Sequence, residues 1–443
     1  MFLKTILVSL SIFIISCGGG DSGPTVSSPN NPNTESVPEE VLVYNETPNT
    51  QGPSIFANDY QYSCFLSSNK EAFCMGSNAS GYLGDGTTNE KDTPTPILSG
   101  SAGFDRQDIK GFYPGKGTAC AIDNSDTLYC WGFNGSGQIG NGTTGSDSAV
   151  PVAVSAGSDG FDPSTVKSVS PAHTTCAITT SNKLFCWGRG NYGQLGDGNT
   201  GSAASTDTPV AVTPGPNSFS TNDVKEVTIG SNHVCATTNS NELFCWGDDF
   251  FGQLGSGSIY SASMPNPVSS GSDGFDPNNI NKIGSGTGFT CATDMNNKLY
   301  CWGRNNYGQL GNGDIGNNAD TPVAVLPGSD GFDPDDVLDF DTGTNHVCAV
   351  DSSLKAFCWG RNTDEQLGDD TGVDADEPVA VLPGADGFKP DKIKLLSAGT
   401  NFSCAIDESD RVFCWGANGD GQYGDGSLTP SSTPVLAFDP SAL

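Results

Sequence analysis

The chain has 443 residues and carries 51 Asp and Glu against 19 Lys and Arg, a formal net charge of −32. Such a field repels phosphates, and no Lys/Arg cluster is on hand to displace counterions, which argues against a nucleic-acid partner. Only three His are present, so a His-based catalytic centre has little to draw on.

In chain order, the first element is an export signal. Met1-Phe2-Leu3-Lys4 leads into an almost wholly apolar run from Thr5 to Ile15 that stops at Ser16-Cys17. An early Lys, about 11 apolar residues and a small residue form the layout of a signal peptide. The run is too short to span a bilayer, which takes roughly 20 residues. Ile14-Ile15-Ser16-Cys17-Gly18 resembles a bacterial lipobox, which implies cleavage after residue 16 and acylation of Cys17. Gly18 rather than Asp after that Cys implies the outer membrane or cell surface rather than the inner membrane. Residues 18–40 hold only Val26 and Val37 as apolar side chains, too few to offset the entropy of ordering. They are expected to form a flexible linker that holds the rest about 25 Å from the membrane.

Past the linker the sequence repeats. Removing Cys17 leaves 14 Cys in seven C-x9-C pairs: Cys64 with Cys74, Cys120 with Cys130, Cys176 with Cys186, Cys235 with Cys245, Cys291 with Cys301, Cys348 with Cys358 and Cys404 with Cys414. First cysteines lie 56, 56, 59, 56, 57 and 56 residues apart, a period that marks a repeat architecture. Short apolar runs bounded by Ser, Asn, Asp and Gly read as strands, and no segment keeps a helical period.

The centre of C-x9-C predicts a hairpin with a three-residue loop whose last residue is left-handed, favouring Gly, Asn or Asp. Asp126, Asn182, Asn241, Asn297 and Asp410 fill that position, while Lys70 and Leu354 depart from it. The register sets each Cys pair directly opposite, with Cα atoms roughly 4.5–5.5 Å apart, and an exported chain meets oxidising conditions. Seven disulfides within the repeats are expected. Zinc is the competing use of Cys, but C-x9-C is not a usual ligand spacing. All six Trp (131, 187, 246, 302, 359 and 415) directly follow a second Cys, with Met75 in the first copy. Strand alternation turns each to the opposite side from its Cys.

Cys176-Ala177 and Cys186-Trp187-Gly188, then Gly193-Gln194-Leu195-Gly196-Asp197-Gly198 and Thr208-Pro209-Val210, resemble the regulator of chromosome condensation repeat, seven times over about residues 41–443. The resemblance implies an all-β, seven-bladed β-propeller with four antiparallel strands per blade. Copy six departs with Glu365 and Asp370 in place of glycine. Eukaryotic members exchange nucleotides on a nuclear GTPase and bind chromatin through basic segments, activities that an exported acidic chain is not expected to share. A plant member pairs through clustered tryptophans, a role the Cys-Trp-Gly residues here do not fit. A secreted bacterial protein with a similar propeller binds an enzyme with one face.

Gly135-Ser136-Gly137-Gln138-Ile139-Gly140 matches a dinucleotide fingerprint but belongs to a repeated turn, with no helix after it. His173, His233 and His346 stand where other copies place Phe or Tyr, a packing position. The acidic Gly-Ser-Asp-Gly-Phe-Asp-Pro connectors (157–163, 271–277, 328–334) lack EF-hand spacing and read as solvated segments pinned by their Phe. The segment after each Trp-Gly varies most and supplies Phe133, Arg189, Tyr192, Asp248, Asp249, Phe250, Phe251, Arg304, Tyr307 and Arg361. In-phase repeats bring these loops to one face, and Arg with Tyr and Phe is the composition of interface hot spots.

The expected organisation is a signal peptide over 1–16, a lipidated Cys17 and linker over 17–40, and a propeller over 41–443. The expected function is non-catalytic recognition of a protein partner at the cell envelope by a monomer, with no cofactor and no metal. A glycan-binding or hydrolytic protein with a channel site is the alternative, for which the strands show no ring of carboxylates. A passive envelope component is the third reading.

Overall fold

The computed structural model describes residues 54–57 and 61–438, apart from 68, 101–102, 108, 158, 216–218 and 272. The expected signal peptide, Cys17 and linker lie outside the described residues. The only helical pieces among those described are two single 3-10 turns, Pro163–Thr165 and Ala385–Gly387. All else that is regular is strand: seven sheets, each of four consecutive antiparallel strands. The blades cover 54–96, 109–153, 166–211, 224–267, 280–324, 337–380 and 393–438. First strands of neighbouring blades lie against one another, so the first strand of each blade is innermost and the fourth is the outer edge. The expected seven-bladed propeller is what the chain forms.

Each blade is a meander pinned at its second and third strands. In blade 3, Thr174–Thr179 pairs with Leu184–Gly188, and Cys176 stands opposite Cys186. Thr179 N–H donates to Lys183 O at 2.9 Å across a three-residue loop, and Asn182 takes φ 61°. Lys70 (φ 62°) and Leu354 (φ 59°) adopt the same left-handed turn, so the departures in sequence leave the hairpin unchanged.

All seven expected disulfides form, one to a blade. Cys64 is bonded to Cys74, Cys120 to Cys130, Cys176 to Cys186 and Cys235 to Cys245. Cys291 is bonded to Cys301, Cys348 to Cys358 and Cys404 to Cys414. The expected spacing needs correction: the Cα–Cα separations are 4.0–4.1 Å, shorter than the 4.5–5.5 Å read from the sequence. They belong to the closer, non-hydrogen-bonded kind of cross-strand pair. All 14 of these cysteines are fully buried, so the bridges are part of the core and not a surface feature.

Blades are joined by a repeated staple. Each Trp packs against the disulfide side of the preceding blade, as Trp246 does on Cys176 and Cys186. Its Nε1–H donates to a carbonyl of the preceding Gly-Gln-Leu-Gly turn: Trp187 to Gln138 O at 2.9 Å, Trp246 to Gln194 O at 3.0 Å, Trp415 to Gln366 O at 2.9 Å. The turn must come this close, so its glycine cannot be replaced. A Cβ at Gly196, already at φ 71°, would stand 2.8 Å from Trp246 Nε1. The connector Phe completes the cluster from below; Phe161 meets Phe185 edge-on at 5.1 Å and Trp187 at 5.8 Å.

The acidic connectors also guard the outer edge strands, whose free N–H groups would otherwise invite pairing with another chain. Asp159 accepts from Ala211 N, Asp273 from Ala324 N and Asp330 from Ala380 N, at 3.1, 3.2 and 3.1 Å. Pro209, Pro322 and Pro378 lie in the same strands and offer no N–H.

The ring closes without sharing strands, since blade 1 is built only from the first four strands and blade 7 only from the last four. At this seam Met75 replaces Trp, and Gln422 O accepts from Ser63 Oγ. Phe65 and Phe438 meet across it with ring centroids 4.3 Å apart.

Candidate functional site

In a four-stranded meander, the turn between strands one and two and the loop between strands three and four emerge on one face. The hairpin loops and the blade connectors emerge on the other. The variable loops after Trp-Gly therefore share a face with the first turns of the blades. In six of the seven loops a Gln fixes the backbone from below, blade 1 having Tyr82 in its place. Gln194 Oε1 accepts from Tyr192 N at 2.8 Å, Gln253 from Phe251 N at 2.9 Å and Gln309 from Tyr307 N at 2.9 Å. The aromatic side chains are thus carried on rigid turns.

On blades 4 to 6 these residues form one row. Phe251 lies beside Gly288 of the next blade, where a Cβ would come 2.9 Å from its ring. The Arg304 guanidinium stands 5.3 Å from the Phe251 ring and 5.6 Å from Tyr307; Arg361 stands 5.9 Å from Tyr307 on its other side. Arg361 is held further by Asp364 at 3.0 Å, Thr363 and Asn401. Arg189 sits over Tyr192 at 5.6 Å on blade 3. Neither Arg189 nor Arg304 has a carboxylate partner among the described residues, and Arg304 Nε is enclosed with no hydrogen-bond acceptor there. On the opposite face four cations have carboxylate partners, Lys392–Glu408 and Lys394–Asp410 at 2.8 Å, Lys298–Asp335 at 3.1 Å and Arg411–Asp407 at 2.7 Å, while Lys167 and Lys225 donate to Asn182 and Asn241 Oδ1 at 2.6 and 3.1 Å.

The remaining expected residues are dispersed. Phe133 packs edge-on to His173 at 6.1 Å, away from the row. Asp248 accepts from Gln253 Nε2 at 3.3 Å and from Ser261 Oγ at 3.4 Å. Phe250 is 73% exposed and meets Phe251 edge-on at 5.0 Å. Asp249 does not belong to the surface. It is fully buried, because its position is the inward-facing anchor of the loop that most other blades fill with Asn. Tyr260, 82% exposed, and Ile259 extend the apolar tip of the same loop and were missed in sequence; their signal is two large apolar residues amid Gly and Ser.

Inside the row, the first turns of blades 4 to 7 are laced together. Ser231 Oγ and Thr287 Oγ1 are 2.8 Å apart, Thr287 N donates to Thr344 O at 3.0 Å, and Thr344 Oγ1 to Thr400 Oγ1 at 3.3 Å. Lys116 Nζ reaches from blade 2 to Ser285 O of blade 5 at 3.4 Å. Buried His233 shares a 2.9 Å hydrogen bond with Thr290 of the next blade; burial, with Lys116 nearby, pushes its pKa down to about 3, so the ring stays neutral. His346 bonds Ser403 in the same way.

Innermost strands carry charges that the reading of single strands did not bring together. Lys282 pairs with Asp339 at 2.6 Å across blades 5 and 6. Asp341 accepts from Ala398 N at 2.9 Å and Ser397 Oγ at 3.2 Å of blade 7; burial raises its pKa. These groups serve one another between blades. Among the described residues no group of three or more His, Cys, Asp or Glu is placed to hold a metal ion.

Seven disulfide-pinned blades, tied by Trp-to-carbonyl staples and gathering their variable loops on one face, define a repeat β-propeller. The profile described as RCC1-like domain matches residues 106–440, and the chain belongs to that family. It is 32% identical over 334 residues to the ultraviolet-B receptor UVR8 of Arabidopsis thaliana, covering 73% of this chain and 69% of that protein. Among solved structures it is similar to human WBSCR16, with TM-score 0.68 and 19% identity over 83% of this chain and 93% of that one. It is also similar to yeast RCC1 (Prp20) bound to Kap60, with TM-score 0.66 and 20% identity over 87% and 86%. These two structural likenesses are of fold.

Proposed function

We propose that this chain is a non-catalytic binding protein of the bacterial cell envelope. In this reading it is held by an acylated Cys17 and a flexible linker over 18–40, and recognises a protein partner with the loop face of its propeller. The observation that carries the reading is the row Phe251–Arg304–Tyr307–Arg361, in which planar side chains are fixed in place before any partner arrives. Preorganised Arg and aromatic groups lose little rotamer entropy on binding and dominate the energetics of interfaces. Guanidiniums left without carboxylates, in a chain so rich in carboxylates, support the same reading, as does the exposed tip at Phe250 and Tyr260. In the family, Prp20 is seen bound to the protein Kap60 and UVR8 is named a receptor, which supports a protein partner without naming one here.

The test is crosslinking in living cells with the full chain tagged at its C-terminus, followed by mass spectrometry of what is captured. One enriched protein is expected, with capture falling about tenfold or more in the double variant Arg304→Ala with Tyr307→Ala, the scale of losing a hot-spot pair. Capture no richer than that of other abundant lipoproteins, or capture unchanged in the double variant, would refute recognition by this row.

A further inference from the structure

Two residues past the Trp-Gly step (Met75-Gly76 in blade 1), five blades place a buried Asn: Asn78, Asn134, Asn305, Asn362 and Asn418. Each amide does two things. Its Oδ1 accepts from the backbone N–H five residues on, at 3.0 Å from Ile139, 3.1 Å from Leu310 and 3.0 Å from Tyr423. Its Nδ2–H donates to the returning half of the loop, at 3.0 Å to Thr143 O, 2.8 Å to Asp314 O and 3.2 Å to Ser427 O. Blade 3 has Gly190 instead, and blade 4 has Asp249. Asp249 keeps the first bond, from Leu254 N at 2.9 Å, but its Oδ2 has no hydrogen-bond partner among the described residues although the side chain is fully buried. A carboxylate has no hydrogen to offer the loop, whereas a carboxylic acid has the shape of Asn and one donor.

We propose that Asp249 is a protonation switch that sets the order of the blade-4 loop, residues 248–261. In the neutral form its Oδ2–H ties the two halves of the loop as the Asn amides do elsewhere. On ionisation the tie is lost and a buried charge is left with the Leu254 N–H as its one hydrogen-bond donor among the described residues. The charged groups that face it are Asp248 on its own loop and Asp320 on the outer strand of blade 5 (Ala319–Ala324), against which Gly252 packs. Burial first, and then these two like charges, raise its pKa to about 7, with the Leu254 N–H opposing. The switch therefore works near neutrality. The loop it governs carries Phe250, Ile259 and Tyr260, so protonation orders an exposed apolar tip.

Because the pKa in the ordered loop lies above that of a solvated carboxyl, ordering takes up a proton. The stabilisation is complete below about pH 4, is lost between about pH 4 and about pH 7, and does not change above that. This device is internal to the chain and stands whether or not the face binds a protein.

The test is hydrogen exchange of the full chain, read on peptides of residues 248–261 and corrected for the intrinsic rate. Opening of this loop should increase about tenfold from about pH 6 to about pH 8, as a single group titrating at the midpoint requires. Asp249→Asn should abolish the change and leave the loop closed at both values. Asn305→Asp should confer the same response on residues 304–318, where the wild type has none. A wild-type loop indifferent to pH, a response that survives Asp249→Asn, or an unresponsive Asn305→Asp would each overturn the proposal.

Discussion

At residue 354 a leucine occupies the left-handed corner of a hairpin, at φ 59°, where five other blades use Asn or Asp. The cost is the clash of any Cβ with the following carbonyl, about 1–2 kcal/mol, which Asn relieves in part by bonding locally. Leu354 has a neighbouring Asp351 that already caps the turn through Ser353, so the side chain at 354 is not needed to close it. Leu354→Asn should stabilise the protein by about 1 kcal/mol, seen as a higher denaturant midpoint with unchanged slope. A lower midpoint would mean that Leu354 contributes packing greater than its backbone strain. In copy six, Glu365 (φ 64°) and Asp370 (φ 60°) hold the same backbone that glycine holds elsewhere, which shows how far the surrounding loop dictates these angles.

At the scale of the blade, much was legible because two regularities reinforce each other. A strand side chain alternates with period two and a hairpin loop has a definite length, so C-x9-C alone placed the cysteines opposite each other and Trp on the reverse side. Depth was harder to read. Asp248 and Asp249 look alike as neighbouring loop acids, yet one is at the surface and the other is buried; the signal was the Asn in the same column of other copies. The row of Arg and aromatic residues was legible as composition but not as geometry, since Arg304 touches an aromatic residue of the preceding blade as well as its own. The charges of the innermost strands escaped for the same reason, as each pairs across a blade boundary.

The blade boundary also yields a prediction. Elsewhere the Gln carbonyl can receive both a Trp N–H and a hydroxyl, as Gln138 O does from Trp187 and Thr175. At the seam of blades 7 and 1, Gln422 O has Ser63 Oγ as its donor and Met75 offers none. Ser63→Ala leaves that buried carbonyl unsatisfied and should cost about 1–3 kcal/mol, against a smaller loss for Thr175→Val, where Trp187 still donates. Equal losses in thermal or chemical unfolding would show that the seam is no weaker than the other boundaries.

For the whole molecule, the two faces differ in the side chains their loops carry. On the hairpin face Lys392 and Lys394 are tied to Glu408 and Asp410 in exposed pairs, while Lys167 and Lys225 are bonded to the amide oxygens of Asn182 and Asn241. On the loop face, Arg189 and Arg304 lie over aromatic rings, and the exposed Phe250 meets Phe251 of the same row. In the proposed function, one face of this propeller recognises a protein and the other does not. The most direct measurement places a photo-crosslinking side chain, one site at a time, at Phe250 and at Asn306, the exposed neighbour of the anchor Asn305, on the loop face and at Lys183 and Glu408 on the hairpin face, in living cells. A discrete adduct of the same mass is expected from both loop-face sites and none from the hairpin face. Adducts from the hairpin face alone, equal adducts from both faces, or none from either would contradict the proposed function.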